Sequence, residues 1–252
     1  MPPSLEGKVT VVTGASSGIG RAAALALALA GSRVVVAARR EPELQTLVDE
    51  IAGVGGEALA IPTDVTDEEQ VRSLIAGAVE RFGGIDCAFN NAGIEGPSKP
   101  AHAYSSDEFR QVMRVNALGT FLCMKYELEH MVEHGGGSIV NDASVAGLRG
   151  MPRQMAYSAS KHAVIGMTRV AAQDYGGKGI RVNAVCPGFT DTDMVDRLSG
   201  GDSERAARLA AYSPMGRLGT VEEVANAVVW LCSDESSFTN GEAMVLDGGL
   251  SA

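Results

Sequence analysis

The sequence has no surplus of positive charge: 21 Lys and Arg against 31 Asp and Glu leave a formal net charge of −10 over 252 residues. Nucleic acids and anionic membrane surfaces are held by basic patches, so neither is an expected partner. Metal-ligand spacing is missing too. Cys87, Cys123, Cys186 and Cys232 lie far apart, with no C-x-x-C pair, each within an apolar stretch. They read as buried reduced thiols rather than disulfides. His130 and His134 are four apart, but they stand just before Gly135-Gly136-Gly137, where a helix ends and imidazoles suit its C-terminal dipole. No metal is expected. The most apolar run, RAAALALALA at residues 21–30, is too short to span a bilayer and follows a strand and a glycine turn, unlike an export signal. It reads as a buried helix, and the chain as cytoplasmic. No internal repeat or low-complexity linker appears. A 45% hydrophobic, 21% charged composition at this length predicts one globular domain over residues 1–252.

What is present is an alternation of β-branched runs and helical spacings. Strands are predicted at residues 8–13, 33–38, 57–62, 85–90, 138–141, 181–186 and 243–247, and helices at 44–52, 67–82, 157–173 and 221–233, with two helical stretches before His134. Short joins between alternating elements indicate a parallel sheet covered on both faces. Residues 94–106 are irregular and proline-containing, and are expected to help shape a substrate entrance. The polar stretch 193–212, with Gly200-Gly201, reads as a mobile lid.

After the first strand comes Gly14-x-x-x-Gly18-x-Gly20, then the alanine-rich helix. Glycines there allow a tight turn and a close approach to a pyrophosphate, whose charge the helix N-terminus meets. The second strand ends in Ala38-Arg39-Arg40, where an acid would bind the adenosine 2′-hydroxyl of NAD and arginine would pair with a 2′-phosphate. NADP(H) is therefore preferred and NAD(H) possible, because Glu41 could pair with an arginine. Asp64 could cap the following helix. Asn91 could fix the turn at the end of the fourth strand, with Gly93 opening space above a cofactor.

Tyr157 and Lys161 are one helical turn apart on one face. A phenol of pKa near ~10 must fall by about 3 units to exchange protons at neutral pH. A cation roughly 5 Å away contributes on the order of 3 kcal/mol, so one lysine and a second positive charge, such as an oxidised nicotinamide, would suffice. Ser144 follows the buried run SIVNDA, and Asn116 lies within an apolar-periodic helix where a buried amide needs partners.

Ser144, Tyr157 and Lys161 at this spacing, with Thr13-Gly14-Ala15-Ser16-Ser17-Gly18-Ile19-Gly20, Asn90-Asn91-Ala92-Gly93 and Pro187-Gly188, resemble the short-chain dehydrogenase/reductase family over essentially the whole chain. The resemblance implies an α/β fold, a doubly wound Rossmann-type parallel sheet of about seven strands. It implies an NAD(P)-dependent alcohol and ketone oxidoreductase in which Tyr157 is the general acid and base. Ser144 would stabilise the substrate oxygen, Lys161 would bind the nicotinamide ribose and acidify Tyr157, and Asn116 would hold a relay water. The dinucleotide would lie along Gly14, Ser16, Ser17, Gly18, Ile19, Gly20, Arg39 and Arg40. Asp64 and Val65 would take its adenine, Asn91, Ala92 and Gly93 would contact it, and Pro187, Gly188, Thr190 and Thr192 would hold the carboxamide. A homotetramer or homodimer through the helices of Asn116 and Tyr157 is also implied. Two positions depart from the family pattern: Asp142 stands where members often carry an apolar residue, and Ala143 where they carry a serine. The substrate is expected to be a free small alcohol, ketone or sugar-like molecule. An acyl carrier protein would want a basic docking patch, and this chain has Glu127, Glu129 and Glu133 on one helix with only Lys125 nearby. Met151, Met155 and Met194 are candidates for the pocket wall or for the core.

Overall fold

The computed structural model describes residues 4–200 and 202–252. Seven strands form one parallel sheet in the order β3-β2-β1-β4-β5-β6-β7: β1 (Val9–Thr13), β2 (Arg33–Ala38), β3 (Ala58–Pro62), β4 (Cys87–Asn90), β5 (Gly137–Asp142), β6 (Ile180–Pro187) and β7 (Ala243–Leu246). The valine-rich β1 and β2 are buried on both faces, as a sheet covered on two sides requires. The chain winds outward from β1 to β3 and then crosses back to place β4 on the other side of β1. A crevice therefore opens beyond the carboxyl ends of β1 and β4. Register places Thr13 beside Asn90 and Asn90 beside Asn141, so Gly14, Asn91 and Asp142 emerge together at that edge.

One face carries α1 (Gly18–Leu29), α2 (Glu41–Gly53) and α9 (Val221–Cys232). Alanines on α1 let it approach α9 closely, Ala23, Ala24 and Leu27 packing in one cluster with Val224 and Val228. The other face carries α3 (Glu68–Phe82), α5 (Gly119–Glu133) and α6 (Met155–Tyr175), with α4 (Ser106–Met113) leading into α5. Helix ends are set by local chemistry. Asp67 caps α3 through the amides of Glu69 and Gln70, and Ser105 with Glu108 and Thr220 with Glu223 form capping boxes for α4 and α9. Helix α2 begins earlier than its apolar spacing predicts because a proline fits its first turn.

One expectation gains detail and another changes. The stretch 193–212, read as a polar lid, contains two helices, α7 (Asp193–Ser199) and α8 (Ser203–Ala210), while Gly201 lies outside the described residues. Glu127 does not face solvent with Glu129 and Glu133: helical spacing puts it with Cys123 and Met131 on the buried face. Its Oε2 accepts from Asn90 Nδ2 at 2.9 Å, and Asn90 Nδ2 also donates to Asn141 Oδ1 at 3.0 Å. Glu127 Oε1 and Asn90 Oδ1 are left without partners among the described residues.

Burial pushes the Glu127 carboxyl from its ordinary 4.5 up to about 7, against the hydrogen bond from Asn90. The folded state thus keeps a proton that the unfolded chain releases. The stabilising contribution is whole below the unfolded value of 4.5 and is lost as pH rises to about 7. Glu127→Gln removes the titration and supplies an amide donor where an oxygen has no partner. Thermal unfolding should show the variant more stable than wild type above about pH 7, by up to ~3 kcal/mol, with the gap closing toward about pH 4.5. A gap that does not change with pH would show that Glu127 is not protonated in the folded protein.

Candidate active site

The crevice is a cleft of about 580 Å³. At one end the glycine loop turns from β1 into α1. Gly14 has φ +66°, and a Cβ there would stand 2.6 Å from Asn91 Nδ2 and 2.8 Å from Ala92 Cα. Asn91 in turn donates to the carbonyls of Thr13 and Gly14, so it clamps the loop to β4. Ser17 makes no side-chain cap to α1, which leaves the amides at the start of that helix facing the cleft. Those amides and the glycine turn fit a dinucleotide phosphate.

At the end of β2, Arg40 donates to Ser16 Oγ at 2.8 Å and Ser17 Oγ at 3.0 Å, and pairs with Glu43 at 3.5 Å. The acid meeting an arginine is thus Glu43, one helical turn on, and not Glu41. Asp64 does not cap α3. Its Oδ1 accepts from the amide and hydroxyl of Thr66 at 2.9 and 2.8 Å. Burial opposes its ionisation, but those bonds and the charges of Arg39 and Arg114 hold its carboxyl below the ordinary range.

At the other end, Tyr157 and Lys161 project from the first turns of α6 toward the end of β5. Lys161 Nζ lies 5.6 Å from the centre of the Tyr157 ring. It donates to the main-chain oxygen of Asp142 at 2.6 Å and to Asp142 Oδ2 at 3.0 Å, with only 4% of the lysine side chain exposed. Ser144 accepts from the amide of Ala146 at 3.1 Å, and its hydroxyl side chain is near enough to Tyr157 to favour the phenolate. The protein's own groups leave the phenol above its ordinary value: burial raises it, Lys161 pulls it down, and Asp142 and Glu95 push it back up. Burial works against the ammonium of Lys161, but Asp142 and Tyr157 outweigh it and hold it protonated.

Of the site residues predicted from sequence, all but two line this cleft. Gly20 lies behind the loop, against Asn91 and the Gly14 carbonyl. Asn116 lies within a π-helical turn, Arg114–Leu118, that joins α4 to α5. Its Oδ1 accepts from the amide of Ile94 at 2.8 Å, and its Nδ2 donates to the Ile94 carbonyl at 2.9 Å and Ser160 Oγ at 3.0 Å. The side chain therefore ties the loop after β4 to α6. Gly93 lies between them, where a Cβ would stand in ordinary contact, 3.4 Å from Asn116 Oδ1 and 3.7 Å from Lys161 Nζ. Met151 and Met194 line the cleft with Ile94, Val145 and Phe189; Met155 does not, and is 53% exposed. Sequence reasoning missed Glu95 and Arg197, which pair at 2.6 Å across the mouth and bring α7 against the loop after β4. No short-range pattern joins residues 102 positions apart. Asp142 had one signal, its departure from the family pattern.

The fold and cleft define a dinucleotide-binding protein of the doubly wound α/β class. A family model described as enoyl-(acyl carrier protein) reductase matches residues 14–251. A 2,5-dichloro-2,5-cyclohexadiene-1,4-diol dehydrogenase from Sphingobium indicum is 45% identical, over 98% of each chain. A cyclohexanol dehydrogenase from Acinetobacter sp. is 40% identical, over 98% of this chain and 96% of its own. The solved structure of Levodione Reductase superposes with a TM-score of 0.94 at 37% identity, over 97% of each chain. The chain belongs to the short-chain dehydrogenase/reductase family, and is an oxidoreductase acting on CH-OH groups with a nicotinamide dinucleotide.

Proposed function

We propose that the protein interconverts a small alicyclic secondary alcohol and its ketone, with NADP(H) preferred over NAD(H). The observation that carries this reading is the meeting of Ser144, Tyr157 and Lys161 at one end of a cleft whose other end is the glycine loop. A bound dinucleotide would accept or supply the hydride. Tyr157 takes the hydroxyl proton as the substrate's C–H bond breaks and the C=O bond forms, and returns it in the reverse direction. Ser144 hydrogen-bonds the substrate oxygen, where charge grows in the transition state. Lys161 presents its ammonium to the ribose side and favours the phenolate. Asn116 anchors the loop over Lys161, and its turn is where a relay water would enter.

Three observations support the cofactor and substrate choice. Strand β2 ends in Ala38-Arg39-Arg40 with no acid, and both arginines line the cleft. The substrate end is walled by Val145, Met151, Phe189 and Met194, which suit an apolar ring. Two relatives carry ring alcohols in their names. We infer that residues 1–252 act as a single domain in the cytoplasm, and no helix is long and apolar enough to cross a membrane among the described residues. A homodimer or homotetramer is supported by Leu118, Phe121 and Val170, which stand exposed on or beside α5 and α6.

A panel of cyclic and open-chain alcohols and ketones with NADP, NADPH, NAD and NADH, followed at the nicotinamide absorbance band, tests the reading. Turnover should be fastest for cyclohexanol-type substrates with the phosphorylated cofactors. No turnover on any alcohol or ketone would overturn it.

A further inference from the structure

Asp142, the last residue of β5, pairs in register with Val185 of β6 and reaches the cleft from beneath Lys161. Its Oδ2 holds the Lys161 ammonium at 3.0 Å, and its Oδ1, shielded from solvent, has no partner among the described residues. We propose that Asp142 is a positioning residue: its carboxylate offsets the charge that Lys161 offers to Tyr157, and so sets the pH at which Tyr157 gives and takes its proton. The proposal rests on Tyr157 being the proton-transfer group.

The charged and titratable surroundings single out this acid. Lys161 faces Tyr157 from α6, Ser144 and Asp142 from the end of β5, and Glu95 from the loop after β4. Glu95 is committed to Arg197. Cys186 of β6 also faces Lys161, but burial pushes its thiol up to about 12, so it is uncharged near neutrality. Asp142 is paired with Lys161 itself, so its charge acts directly on the cation that Tyr157 depends on. That cation has a second anchor, the main-chain oxygen of residue 142 at 2.6 Å, which any substitution at the position retains. Removing the carboxylate therefore changes the charge near Tyr157 without releasing Lys161.

The test uses protein saturated with NADP and labelled with carbon-13 at the tyrosine ring carbon bearing oxygen, the Tyr157 signal being the one that Tyr157→Phe deletes. In Asp142→Asn the ionisation midpoint should fall by about one pH unit. Asp142→Val, which suits a strand, should give the same fall, whereas Asp142→Glu should stay near wild type. The acidic limb of kcat/KM for alcohol oxidation should move down by the same amount, because the phenolate is the base. A midpoint that stays in place in both neutral variants overturns the proposal, since a merely structural part for Asp142 would change stability and not this value. A shifted midpoint with no turnover on any alcohol or ketone would show that Asp142 tunes the Tyr157 ionisation while sinking the enzymatic reading, and with it any role for that tuning in proton transfer. Turnover with an unmoved midpoint would do the reverse.

Discussion

Tyr157→Phe is expected to lose about a thousandfold or more in kcat while binding NADPH about as well as wild type. General acid and base catalysis by a positioned side chain contributes ~10²–10⁴-fold, and the substitution deletes one oxygen from a ring whose packing it leaves in place. The phenol stands beside Ser144, and the ammonium of Lys161 lies 5.6 Å from its ring. Ser144 and Lys161 remain in the variant, so the substrate oxygen keeps a hydrogen bond but has no group to exchange its proton with. Steady-state turnover and fluorescence titration with NADPH together check the claim. Wild-type kcat in the variant would place the proton transfer elsewhere, and a parallel collapse of NADPH affinity would make Tyr157 a binding residue instead.

Arg39→Ala is expected to weaken NADPH by roughly 10–100-fold while changing NADH by little. A charge-assisted hydrogen bond to a phosphate is worth about 1.5–3 kcal/mol, and about 1.4 kcal/mol is tenfold in affinity. Arg40→Ala should act in the same direction but also loosen the glycine loop, because Arg40 bridges Ser16 and Ser17 at 2.8 and 3.0 Å. Some loss of NADH binding is therefore expected in that variant alone. Dissociation constants for the four dinucleotides in each variant decide the point, and equal losses for NADPH and NADH in Arg39→Ala would remove the basis for an NADP preference.

Local rules were enough to locate much of this. Valine runs buried on both faces mark β1 and β2, and the glycine pattern between β1 and α1 can be read because only a tight turn needs it. Tyr157 and Lys161 are neighbours on one helix, so their spacing alone puts them together. Longer links left weaker traces. Glu127 counts as surface charge in a composition, yet helical spacing with Cys123 and Met131 turns it inward, to a buried acid that meets Asn90 on β4. The polar stretch after Thr192 gave no sign of the ion pair between Arg197 and Glu95 that brings α7 to the cleft mouth.

The sequence by itself determined the layered α/β plan, the glycine turn and the spacing of Tyr157 and Lys161, because these depend on residues near one another in the chain. Only the tertiary structure decided how the charges are shared. The meeting of Lys161 with Asp142, of Asn116 with Ile94 and Ser160, and of Arg40 with Ser16 and Ser17 each joins separate elements that only the folded chain brings together. Electrostatic effects depend on distance and burial, and neither is written in the order of residues.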